Sequence, residues 1–186
     1  IAQNNGSGAL SITSTGDVTG DTFQGILALN WGTDLTITTA SVSGETDGIA
    51  AQNIGGALSI RSTGDVTGHF DYGINARNSG GDLTISAALV SGGETGIFAR
   101  NSGGALSITS TGDVTGDSHY GIYASNGGTD LTITTALVSG GRTGIYAQNN
   151  GSDVLSITST GDVTGGSDDG IYADNDGTDL TISTAT

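Results

Sequence analysis

The sequence predicts an all-β chain: a three-sided parallel β-solenoid of about eight coils. Three observations predict it. The stretch LSITSTGDVTG at residues 10–20 recurs letter for letter at 106–116 and 155–165, and at 58–68 with Arg61 as the one change. A second string, I-x-A-x-N, starts at Ile26, Ile49, Ile74, Ile97, Ile122, Ile145 and Ile171, at spacings of 23, 25, 23, 25, 23 and 26 residues. Each repeat holds three short runs of period two between Gly-rich turns, and none with the period of a helix.

The first strand of a coil is I-x-A, closed by an Asn turn. The second is L-[ST]-I. The third is centred on the Val of V-[ST]-G, and a variable loop returns the chain to the next Gly-Ile. Coils come in two flavours. Odd coils carry A-L-S-I-x-S-T-G-D-V-T-G or its near copy; even coils carry D-L-T-I. Strands stacked on their own copies about 4.8 Å apart give a rod on the order of 35–40 Å long. Ile, Ala, Leu, Ile and Val form the inward columns. Burial of each large apolar side chain contributes roughly 1.5–3 kcal/mol, and only neighbouring coils can supply the cover.

Composition sets limits. The chain has 186 residues, 34 Gly, no Pro, no Cys, no Met, no Lys, and a formal charge of −15 against four Arg. Such acidity opposes nucleic acid and anionic membranes as partners. No apolar run approaches a membrane span, and no signal-peptide pattern is present. The lack of Cys removes disulfides and thiol chemistry. The chain does not open on Met, and it is expected to be a processed or excised piece of a longer array of the same coils. Both ends break off inside a coil without a cap, so end-to-end self-association through unpaired strand edges is expected.

The repeat resembles the right-handed parallel β-helix of autotransporter passenger domains, of other large bacterial surface adhesins and of pectate-lyase-like proteins. The resemblance covers the whole chain, and it alone implies the right-handed sense. It implies an extracellular or bacterial cell-surface location and a structural or adhesive role. A near-perfect repeat of two coils is also what consensus design would produce.

The Asn column (Asn4, Asn30, Asn53, Asn78, Asn101, Asn126, Asn149, Asn175) is expected to be structural, because Asn suits turns and stacked amides bond from rung to rung. Asp17, Asp65, Asp113 and Asp162 occur in odd coils only; Asp34, Asp82, Asp130 and Asp179 in even coils only. Alternation doubles the spacing of like charges to nearly 10 Å, about one Debye length. Solvated charge is therefore expected there rather than calcium, which needs about six to eight oxygens per ion.

Two outward faces are candidates for binding. The second strand presents a hydroxyl array, including Thr13, Thr36, Thr38, Thr84, Thr109, Thr132, Thr134, Thr158 and Thr181. It looks like the ice-binding face of β-solenoid antifreeze proteins, although Thr and Ser are also ordinary outward strand residues. The first strand presents Phe98, Tyr123, Tyr146 and Tyr172 on consecutive coils, with Arg77 and Arg100 two residues further along their strands. With Phe70, Tyr72, His119 and Tyr120 of the variable loops, these aromatics are candidates for contact with a glycan or a host or neighbour-cell protein. His69 and His119 stand in variable loops without a nucleophile or acid repeated around them, and Asp168 and Asp169 are the one adjacent acid pair. A non-enzymatic chain without metal or cofactor is expected.

Overall fold

A computed structural model describes residues 1–185. Among them are 23 strands and no helix. The strands form three parallel sheets of eight, eight and seven strands, each ordered coil after coil from one end to the other. Every strand pairs with the strand three places along the chain. The chain is a parallel β-solenoid of about eight turns, as the repeat predicts.

Register is one-to-one. In the first sheet Ile74 pairs with Ile49 and Ile97, and Asn78 with Asn53 and Asn101. In the second, Leu83 pairs with Leu58 and Leu106. In the third, Val90 pairs with Val66 and Val114. A slip by one residue would turn every apolar column out to water, so the two-residue period holds the register. The five expected inward columns make one continuous core, almost wholly buried in the inner coils and partly exposed in the outermost ones.

Two polar columns also point inward. One is the Asn column. Each amide nitrogen donates to the amide oxygen of the next Asn, from Asn4 through Asn30, Asn53, Asn78, Asn101, Asn126 and Asn149 to Asn175, at 2.7–3.2 Å. The same nitrogens reach carbonyls three or four residues ahead, as Asn101 does to Gly104 (2.9 Å) and Ala105 (3.1 Å). All seven inter-coil bonds run the same way, so the amide dipoles align and each strengthens the next. The other column closes the second strand with small residues. There the Ser62, Ser110 and Ser159 hydroxyls donate to the carbonyls of Ala40, Ala88 and Ala136 at 2.6–2.7 Å.

The Gly of each Gly-Ile step is fixed by close approach. A Cβ on Gly96 would sit 2.7 Å from both the Gly121 carbonyl and a Val114 methyl. The chain turns the corner there between the next rung and the core, with no room for a side chain.

Asn101→Ala breaks the amide chain: the Asn78 amide loses its inter-coil acceptor, and the Gly104 and Ala105 carbonyls and the Asn126 side-chain oxygen each lose a buried donor. Denaturant unfolding should show a loss of roughly 2–4 kcal/mol. Asn4→Ala, at the exposed end of the chain, should lose less than about 1 kcal/mol.

Candidate functional site

The inward columns leave three outer faces, and the face of the first sheet is chemically the most varied. It carries two columns. One runs Leu27, Ala50, Asn75, Phe98, Tyr123, Tyr146, Tyr172; the other runs Leu29, Gln52, Arg77, Arg100, Ser125, Gln148, Asp174.

In the first column the rings stack on one another. Phe98 and Tyr123 lie 4.9 Å apart between centroids, Tyr123 and Tyr146 5.1 Å, and Tyr146 and Tyr172 4.7 Å, with interplanar angles of 7°, 0° and 7°. The spacing is that of the rungs. Ring faces are therefore taken up by neighbouring rings, and the column turns edges and hydroxyls to solvent. A sugar stacked flat on these faces does not fit the inner members. Tyr72 joins Phe98 at a tilt, and Tyr120 sets its edge against Tyr123 and Tyr146. Burial pushes the Tyr72 and Tyr146 phenols above their ordinary value of 10.0, and like any phenol both are hydrogen-bond donors at neutral pH.

Two of the expected contact residues stand apart from this stack. Phe70 projects into solvent at 66% exposure. His119 lies 6.3 Å from Tyr120 and 3.5 Å from a Glu94 carboxylate oxygen, at the edge of the group. Beside Tyr120, Tyr146 and Tyr172 a hollow of about 290 Å3 opens between Arg142, Asp168 and Asp169. Arg142 closes on Asp168 through two N–H bonds of 2.8 and 3.0 Å, which spends the strongest polar groups of the hollow on each other.

The second column holds an arrangement that sequence reasoning noticed but gave no role. Arg77 and Arg100 pair in register on adjacent strands. They are the one pair of charged residues matched across the described strands. Both guanidinium carbons lie over the Phe98 ring, at 5.1 and 5.4 Å, and Arg100 also lies 5.5 Å from the Tyr123 centroid. Arg100 donates to the Tyr123 hydroxyl oxygen at 3.1 Å, and Arg77 to the Asn75 side-chain oxygen at 3.4 Å. Among the described residues no carboxylate pairs with either. Two cations about 5 Å apart repel by about 1 kcal/mol in bulk water and about 3 kcal/mol at a partly shielded surface. Next to Arg77, the small side chain of Ala50 leaves a notch of about 130 Å3 between Leu27, Leu29 and Asn75.

The second sheet carries the hydroxyl face. Its columns are in register, with Ser11 against Thr36, Thr13 against Thr38, Ser107 against Thr132, and Thr109 against Thr134. Ser and Thr alternate down the first column, as Ser59, Thr84, Ser107, Thr132, Ser156 and Thr181 show. Arg61 interrupts the second, between Thr38 and Ser86.

The Asp columns divide. Asp17, Asp65, Asp113 and Asp162 are exposed, as expected of solvated charge. The even-coil column does more. Asp34, Asp82 and Asp130 accept the backbone N–H of Ala57, Ala105 and Val154 in the following odd coil, at 2.9, 2.8 and 3.1 Å. Asp34 and Asp82 also lie where a side chain on Gly56 or Gly104 would project. No group of three or more His, Cys, Asp or Glu placed to hold a metal occurs among the described residues.

One acid is buried. Asp47 is 6% exposed and sits in the loop position that Thr95 and Thr143 fill in other even coils. Its partners are distant: the Gln24 amide and the Tyr72 N–H, each at 3.4 Å. Desolvation raises its pKa above the ordinary value of 3.8, against the weaker help of those donors, and the nearby Asp71 adds to the rise.

No protein-family description, curated protein or solved structure matches this chain.

Asp47→Thr should raise stability at pH 7 by roughly 0.5–2 kcal/mol. The folded state holds the Asp47 proton more tightly than the unfolded state, so its charging penalty is present above the raised folded pKa. That penalty disappears as pH falls through that pKa to 3.8. The advantage of the variant, read from melting curves against pH, should therefore shrink toward acid pH.

Proposed function

We propose that this chain is a non-enzymatic structural and adhesive segment of a secreted or surface-displayed bacterial protein, of the autotransporter passenger kind. The observation that supports the reading is the unbroken register of about eight coils. It makes a stiff rod whose three faces repeat at one spacing, suited to hold a contact surface at a fixed distance from an anchor. Its acidic sides oppose lateral bundling of like rods. Its partner is a glycan or a protein on a host or neighbouring cell, met along the outer face of the first sheet. The chain itself carries no cofactor in this reading.

Antibodies raised against the chain test the location. They should label intact source cells, and brief external protease should remove the label. Labelling only after lysis would contradict the proposal.

A second reading rests on the registered hydroxyl columns of the second sheet, which favour ice as a ligand. Thermal hysteresis at high micromolar concentration tests it. If activity is found, bulky residues at Thr109 and Thr134 should abolish it, while replacing Tyr123 should not. Absence of hysteresis at that concentration discards this reading and leaves the structural one standing.

A further inference from the structure

We propose that Arg77, Arg100 and the notch beside them form a binding site for an acidic sugar that carries a small apolar substituent, such as an N-acetyl group. The proposal starts from a broken rule. In a ladder where every residue faces the next copy of its own position, like charges on adjacent rungs are disfavoured. The Asp columns avoid them by alternation. Arg77 and Arg100 do not: they are matched in register, in a chain with only four cationic side chains against nineteen acidic ones. Local rules broken at a cost are where function is to be sought.

The geometry says what would relieve the repulsion. Phe98 backs both guanidinium groups. Each uses a single N–H within the chain, Arg77 on Asn75 and Arg100 on Tyr123. Their remaining donors are free to turn outward, the fork that a planar carboxylate matches. The Tyr123 oxygen accepts from Arg100, so its own hydrogen is available as a further donor. The site is thus donor-rich and positive, and it is set in a strongly acidic protein.

Size and charge select the ligand. A dense polyanion such as nucleic acid would bring many charges against a net −15 for the sake of two cations. A bare inorganic anion would leave the notch empty. The notch is lined by Leu27, Leu29 and Ala50 and measures about 130 Å3. That is on the order of four water volumes, enough for an acyl group and too little for a lipid tail. An acidic N-acyl sugar uses both halves, with its carboxylate on the arginines and its methyl group in the notch. The site deepens the glycan contact proposed for the outer face of the first sheet and rests on it; a failed titration removes the site, while the display of the rod is judged separately by surface labelling.

Titration calorimetry of the intact chain with 3′-sialyllactose tests the site, with lactose as the neutral control and inorganic sulfate as the bare anion. Sialyllactose should bind and lactose should not. Arg77→Gln with Arg100→Gln should weaken binding about tenfold or more, the worth of a lost charge-assisted contact. Gln already occupies this column at Gln52 and Gln148, so the double variant should melt no lower than the parent. Ala50→Leu fills the notch; it should weaken sialyllactose about tenfold and leave sulfate unchanged. The proposal is overturned if lactose binds equally, if the double Gln variant keeps its affinity, or if Ala50→Leu has no selective effect. A lower melting temperature in the double variant would assign the arginines to stability and would equally overturn it.

Discussion

The spacing of one rung, about 4.8 Å, is the constraint on which the rest of this structure depends. In a parallel ladder with one-to-one register, the nearest neighbour of a residue is the copy of itself one coil away. Each position must therefore be a residue that packs well against its own kind. Ile, Leu, Val and Ala do so by apolar contact, the Tyr rings by offset stacking, and the Gly of the Gly-Ile step by leaving room. Repetition of sequence follows from repetition of environment. The inner coils are buried on both sides by identical neighbours, and the outermost ones, with Leu180 at 48% and Ile182 at 47% exposure, show how little a coil buries alone.

Polar residues meet the same constraint in different ways. Asn stacks on Asn because one amide has both a donor and an acceptor, so a column of copies satisfies itself. A carboxylate has acceptors only and repels its copy. The even-coil Asp residues resolve this by turning to a different group, the backbone N–H of the following odd coil, where Ala57, Ala105 and Val154 offer no side-chain acceptor of their own. The unit of this solenoid is accordingly two coils, joined by a carboxylate that needs an unlike neighbour. Asp47 shows the opposite case: a carboxyl group placed in a Thr position, short of good donors and pushed toward its neutral form.

The sequence reveals whatever is carried by identity between copies. Period, strand count, inward columns and the Asn ladder were all legible, since each is a letter recurring at a fixed interval. What could not be read involves unlike partners or orientation. The bond from Asp34 to Ala57 joins a side chain to a backbone N–H, which no letter records. The column Phe98, Tyr123, Tyr146, Tyr172 was legible as a row of aromatics, but not the fact that its faces are turned to one another. Burial of Asp47, with Asp71 close by in the next coil, depends on how the variable loops fold back, and those loops do not repeat. Phe70 and Tyr72 lie two residues apart, yet one projects into solvent and the other joins the stack. Strand alternation alone does not decide that difference at a loop edge.

The central claim is that like charges on adjacent rungs are destabilising, and that this sets the two-coil period. The column before the third-strand Val tests it directly. It runs Asp65, Leu89, Asp113, joined rung to rung by the N–H of Val66 on the Leu89 carbonyl and the N–H of Val90 on the Asp113 carbonyl. Leu89 is 38% exposed, so a polar residue there is tolerated in itself. The measurement is the difference in unfolding free energy between Leu89→Asp and its neutral isostere Leu89→Asn, taken at low salt and at 1 M salt, where the screening length falls to about 3 Å. The account predicts that the Asp variant is less stable by roughly 1–2 kcal/mol at low salt, from two repulsions of about 1 kcal/mol each, and that the gap closes at high salt. Equal stability of the two variants at low salt would contradict it.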